Sequence, residues 1–124
     1  MRELLAVAVG GAAGALGRYW LATAAQRLGG SGFPYGTLTV NVLGSLLIGV
    51  LFVAFERGAL HQDLRLLLTV GLLGAFTTFS TFSLETLVLI EQSMWGRALA
   101  NVAASVLLCL AACAIGIFLA RRLA

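Results

Sequence analysis

A segment from residue 64 to residue 90 is apolar enough to lie in lipid, yet its middle reads GAFTTFSTFSLE at residues 74 to 85, with five hydroxyls, three phenylalanines and a carboxylate. Thr77, Thr78, Ser80, Thr81 and Ser83 can each donate a hydrogen bond. A helical hydroxyl can also bond back to its own backbone and so be tolerated in hydrocarbon. That self-contained use accounts well for one or two hydroxyls and poorly for five in seven residues. Phe76, Phe79 and Phe82 recur every three residues, each displaced about 60° from the last, so they form a slanting stripe. An aromatic ring has a negative face and a positive edge. Presented edge-on, it stabilises a small anion without offering a competing proton. Gly74 followed by the β-branched Thr77 and Thr78 is a place for the helix to unwind. Freed carbonyls there would suit a hard cation, whereas hydroxyl donors and a helix N-terminus would suit an anion.

The other polar residues inside apolar runs are few, and each costs free energy in hydrocarbon unless it faces protein or water. Asn41 has a face that continues at i+4 and i+8 through Ser45 and Gly49. It reads either as an interhelical hydrogen bond worth ~0.6 kcal/mol or as a donor in a pathway. Arg18 lies about 22 Å along a continuous helix from Glu3. Its side chain either snorkels to the far interface or projects into a water-filled vestibule that concentrates anions. Asn101 and Ser105 complete the set on the last run. Glu85 is the only carboxylate deep in a run, so no acidic ring of the cation-selecting type is present, and the residues favour an anion without naming it. No set of nucleophile, base and orienting acid stands in the apolar runs, which argues against an enzyme. Cys109 and Cys113, at i and i+4, read as small packing residues, because two thiols do not complete a metal site and a disulfide within one helix has poor geometry. His61 is a lone loop histidine and is assigned no role.

The elements that must position these groups follow from composition. Of 124 residues, 60% are hydrophobic and 10% charged, and the mean hydropathy of +1.02 lies far outside the range of a soluble domain. The expected fold is an all-α integral membrane protein with transmembrane helices at about 4–28, 35–55, 64–90 and 98–120, each meeting the ~20 residues needed to cross a bilayer. The connections are too short for an extramembrane domain, so residues 1–124 read as a single four-helix membrane domain. The third run would be about 40 Å long as an unbroken helix against a hydrocarbon core of ~30 Å, so it must tilt or break near its middle. The first run is too long for a signal peptide and has no clear cleavage site.

The net charge of +3 comes entirely from arginine at the ends of the runs, which indicates a membrane interface rather than nucleic acid. Arg2, Arg57, Arg65, Arg121 and Arg122 share one side, and Arg27 and Arg97 the other, a bias that favours cytoplasmic termini. By itself it fits one fixed orientation better than an even mixture. Gly10 and Gly14, Ser45 and Gly49, Gly71 and Ala75, and Ala112 and Gly116 are small residues four apart that predict close helix packing. Four short helices enclose little interior, so oligomerisation is expected.

Three stretches in order, GGAAGALGRYW at 10 to 20, GTLTVNVLGSLLIG at 36 to 49 and GAFTTFSTFSLE at 74 to 85, make the whole chain resemble the Fluc (CrcB) family of fluoride ion channels. The resemblance implies an antiparallel, dual-topology homodimer with two pores in the inner membrane of a prokaryote, passively exporting cytoplasmic fluoride to reduce its toxicity. It also implies a structural Na+ at the dimer centre, held by backbone carbonyls of the broken third helices. Carried over by position, Phe79 and Phe82 resemble the pore aromatics and Asn41 the pore amide donor. Ser80, Thr81 and Ser83 fall in the hydroxyl segment beside the fluoride pore, and Arg18 matches the vestibule arginine. Gly74 and Thr77 match the positions whose carbonyls hold the sodium. Ser105, with Asn101 and Cys109, matches a polar track on the fourth helix, with a thiol where the family carries a hydroxyl. Glu85 matches a recurrent carboxylate to which no role is assigned. The competing reading is a proton-coupled exporter like the small multidrug resistance transporters, whose carboxylate lies in the first helix, where this chain has Arg18; Glu85 would have to replace it.

Overall fold

The chain's single proline, Pro34, stands just before the second helix rather than inside one, so no apolar run carries a forced kink. In the computed structural model, which describes residues 1–123, each run is helical. Helix α1 covers Arg2–Gly29 and α2 covers Tyr35–Glu56. The third run is composite: a short α3 at Gln62–Arg65, a π-helical segment at Leu66–Leu73, a single turn α4 at Gly74–Phe76, and α5 at Phe79–Glu91. Helix α6 covers Trp95–Leu123. Four helical units are long and apolar enough to cross a membrane, the third being Gln62–Glu91 taken together, and no strand occurs among the described residues.

The third helix opens at Thr77 (φ −90°, ψ 156°) and Thr78 (φ −151°, ψ 115°), both extended. Gly74 itself remains helical, with φ −61° and ψ −37°. The break therefore begins three residues beyond the glycine, for a reason that lies in the partners of Thr78 described below. It falls about 22 Å along the third run, close to mid-membrane.

Glycines set how closely the helices approach. A Cβ on Gly10 would overlap the Leu67 carbonyl and one on Gly14 the Leu72 carbonyl, while one on Gly71 would stand 2.8 Å from the Val7 carbonyl oxygen. These three positions seat α1 on the π-helical segment. Gly49 and Gly116 do the same for α2 and α6: added Cβ atoms would meet the Cys113 and Leu46 carbonyls respectively. The five glycines among the small residues anticipated from the sequence thus serve packing inside one subunit. Lipid supplies no hydrophobic drive for this association, so backbone proximity and dispersion must. Val40, Leu73 and Phe76 form the core beside the break, with Leu21, Ile48 and Leu51 packed around them.

Polar bonds tie the ends. The Arg121 guanidinium meets Glu56 Oε2 at 3.2 Å, joining α2 to α6, and Arg97 Nη1 donates to the Gly32 carbonyl at 3.2 Å. Gln26 closes the turn before α2, donating to the Phe33 carbonyl at 2.9 Å and accepting from the Gly36 amide at 3.1 Å.

Candidate functional site

Two residues that leave the helix at mid-membrane must satisfy their backbone without water from lipid. Asn41 on α2 does this for Thr78: its Oδ1 accepts from the Thr78 amide at 2.7 Å, and its Nδ2 donates to the Thr78 carbonyl at 3.0 Å. Thr78 then caps α5, its Oγ1 accepting from the Thr81 amide at 3.2 Å, as an N-cap threonine should. The same oxygen lies 3.0 Å from Thr81 Oγ1 and 3.2 Å from Ser80 Oγ. The break thus joins two opposed helix ends. The positive N-terminus of α5 faces anions favourably, whereas the carbonyl end of α4 suits a cation.

Around this break lies an open groove of about 510 Å³ whose lining includes Asn41, Ser45, Gly74, Thr77, Thr78, Phe79, Phe82, Ser105 and Cys109. The rings of Phe79 and Phe82 stand 5.3 Å apart between centroids and are tilted by 47°. Phe79 is 78% exposed, and Gly74 and Ser80 are exposed beside it. A second hollow of about 490 Å³ begins on the other side of Thr78 and is lined by Arg18, Arg27, Thr37, Thr81 and Glu85 among others. Thr78 borders both hollows.

The residues singled out from the sequence divide between these spaces. Asn41, Phe79, Phe82, Ser105, Gly74 and Thr77 meet at the first, and Arg18 and Thr81 at the second. Ser80 contacts the Thr78 hydroxyl and lines neither. Ser83 donates to the Phe79 carbonyl at 2.9 Å, the back-bonding that lets a hydroxyl sit in lipid, and it too lines neither. Asn101 is 1% exposed and bonds α6 to α5 by donating to Thr86 Oγ1 at 2.9 Å; Thr86 in turn donates to the Phe82 carbonyl at 2.8 Å. Ser105 leans on Asn101 Oδ1 at 3.4 Å.

Two contributors escaped the sequence reading, Thr37 and Thr86, and Arg27, read there only as an interface charge, joins Arg18 at the second hollow. Thr37 donates to Glu85 Oε1 at 2.8 Å and is buried. It stands at i−4 from Asn41, so extending that polar face one turn back would have found it. Thr86 follows Glu85 directly and sits one turn beyond Phe82 on the same face. Arg27 gives the second hollow a second positive charge. Among the described residues the one ion pair is Arg121 with Glu56, so neither Arg18 nor Arg27 is neutralised by a carboxylate in direct contact.

The model of the family described as CrcB-like protein, camphor resistance (CrcB), matches residues 5–117. The chain belongs to the CrcB family. Among relatives of this CrcB protein, the fluoride-specific ion channel FluC of Geobacter sulfurreducens is 52% identical over 124 residues, covering 99% of this chain and 100% of the relative. The protein of the same name from Caulobacter vibrioides is 47% identical, with 98% of each chain covered. That of Methylococcus capsulatus is 53% identical across 98% of this chain, which spans 54% of that relative's length. CrcB membership makes the chain a multi-pass membrane transport protein rather than an enzyme.

Proposed function

We propose that this chain is a fluoride-selective passive channel that lets fluoride leave the cytoplasm, assembled as an antiparallel homodimer with two pores in the inner membrane of a prokaryote. One observation carries the reading. At mid-membrane, Asn41, Phe79, Phe82 and Ser105 surround one groove beside a helix N-terminus, with no carboxylate in its lining. The relatives that match nearly the whole chain are named fluoride-specific ion channels, which supports the same conclusion.

Fluoride is small and strongly hydrated, so a pore must replace its water with closely spaced donors and ring edges. Chloride is too large for the same spacing. Arg18 and Arg27 at the second hollow raise the local anion concentration before entry. At acidic external pH, fluoride enters cells as neutral HF and dissociates inside, and the membrane potential drives the anion out through a passive pore. No coupling step is required. The proton-coupled exporter reading has no support in the family match, and the Glu85 carboxylate it would use is engaged by Thr37.

The open groove supports the dimer. Freed carbonyls and an exposed Ser80 facing hydrocarbon would be costly, and a second copy seated there removes that cost. The chemistry of the donor set also fits a central sodium ion. Gly74 and Thr77 are the carbonyls whose i+4 amides, those of Thr78 and Thr81, donate elsewhere. Neutral carbonyl oxygens without a carboxylate suit a monovalent hard cation. Held by the Gly74 and Thr77 carbonyls, a sodium ion would supply a fixed positive charge at the break.

The test is fluoride release from liposomes holding the purified protein, with chloride release as control. Rapid fluoride-selective efflux is expected, lowered at least about tenfold by Phe82→Ile or Asn41→Asp, the effect of losing ~1.4 kcal/mol at the rate-determining point of passage. Efflux no faster than from empty liposomes, by a folded dimer, would overturn the reading.

A further inference from the structure

We infer that the third helix is held open by two side chains, Asn41 and Thr78, each of which removes one amide from one carbonyl of the cation site. In an unbroken α-helix the Gly74 carbonyl accepts from the Thr78 amide, and the Thr77 carbonyl from the Thr81 amide. Here the Thr78 amide donates to Asn41 Oδ1 at 2.7 Å, and the Thr81 amide to Thr78 Oγ1 at 3.2 Å. The two diversions fall on the two carbonyls of the proposed cation site, Gly74 with Asn41 and Thr77 with Thr78, while the Phe79 and Ser80 amides open the first turn of α5. The inference rests on the sodium reading above only for what the freed carbonyls hold; that they are freed, and by which side chains, stands on the hydrogen bonds alone.

The geometry gives Asn41 a role that a pore donor would not need. Both ends of its amide are committed to the backbone of one residue, with the donor spent on the Thr78 carbonyl at 3.0 Å. One Nδ2 proton is left to face the groove. Asn41 is therefore a positioning residue for the cation site as well as a donor to the pathway. Thr78 is buried and borders both hollows, so its hydroxyl holds the α5 N-terminus where they meet. Gly74 and Phe76 are helical, the Thr77 amide and hydroxyl both still donate to the Leu73 carbonyl, and the first amide to leave the ladder is that of Thr78, which donates to Asn41. Removing either acceptor leaves that amide without its side-chain partner, and its α-helical acceptor is the carbonyl four residues back.

The experiment is magic-angle-spinning NMR of the full chain in lipid vesicles, reading the carbonyl 13C shifts of Gly74 and Thr77 in sodium and in N-methylglucamine buffer. In the unaltered protein both shifts are expected outside the helical range, and both should move when sodium is withdrawn. Asn41→Leu is expected to bring the Gly74 carbonyl into the helical range and abolish its sodium response. Thr78→Val should do the same to Thr77. Asn41→Asp loses the donor to the Thr78 carbonyl but keeps an oxygen for the Thr78 amide, so the Gly74 carbonyl should stay outside the helical range, and Phe82→Ile should alter neither carbonyl. Gly74 and Thr77 shifts in Asn41→Leu and Thr78→Val equal to those of the unaltered protein would overturn the inference. So would an Asn41→Asp spectrum in which Gly74 turns helical, and that variant carries the decision if Asn41→Leu fails to fold. Should the unaltered protein show no sodium response, the sodium reading fails, while the shifts of the variants still decide whether these side chains hold the helix open.

Discussion

Glu85 offers Oε1 to the Thr37 hydroxyl at 2.8 Å, while its Oε2 is buried without a donor. A carboxylate placed so depends on the one bond it has, because losing it leaves both oxygens short of partners in a medium that does not supply them. Thr37→Val is therefore expected to lower the stability of the folded subunit by about 1–3 kcal/mol, whereas Thr37→Ser should be close to neutral. Unfolding of the detergent-solubilised protein measures both, and equal stability of the valine and serine variants would remove the bond from the account. At this scale the sequence was partly legible. Asn41, Arg18, Phe79 and Phe82 stood out because a polar or patterned residue in an apolar run is conspicuous. Thr37 did not, because its meaning lies in Glu85, distant in the chain and adjacent only after folding.

The helices were legible from apolar runs, yet the interior of the third was not. Its length against the bilayer demanded a break, and Gly74 with two threonines marked the neighbourhood. The opening at Thr77 and Thr78 is set instead by an asparagine on another helix, which local propensity does not register. The π-helical segment Leu66–Leu73 left no sequence signal either; it lies where α1 presses closest, at Gly10 and Gly14. The crossing of α2 and α6 makes the packing argument testable. Gly49→Ala and Gly116→Ala each drive a methyl into the opposite backbone, at Cys113 and Leu46. Each is expected to cost about 1–3 kcal/mol of unfolding free energy. The double variant should cost less than the sum, since separating the helices for one methyl makes room for the other. Strict additivity would mean that the two contacts are independent.

For the whole molecule, charge and symmetry pull in opposite directions. Arginine stands five to two in favour of the side that carries the termini, which taken alone favours one orientation. The antiparallel dimer proposed here requires both. With Cys109 and Cys113 replaced and Ala59→Cys added in the exposed turn between α2 and α3, a membrane-impermeant thiol reagent is expected to label a comparable share from each face of the membrane. Labelling from one face only would rule out the antiparallel arrangement and leave the groove to be covered by a parallel copy or another chain.

The clamp on Thr78 also has a direction in time. Asn41 precedes its target by 37 residues, so α2 leaves the ribosome before the third run does. The amide that will receive the extended backbone is already made when that backbone is threaded into the membrane. Until the two meet, the third run can satisfy its own ladder and cross as an ordinary helix. The break therefore has its partner within the same subunit, already in place whenever the third run reaches the bilayer.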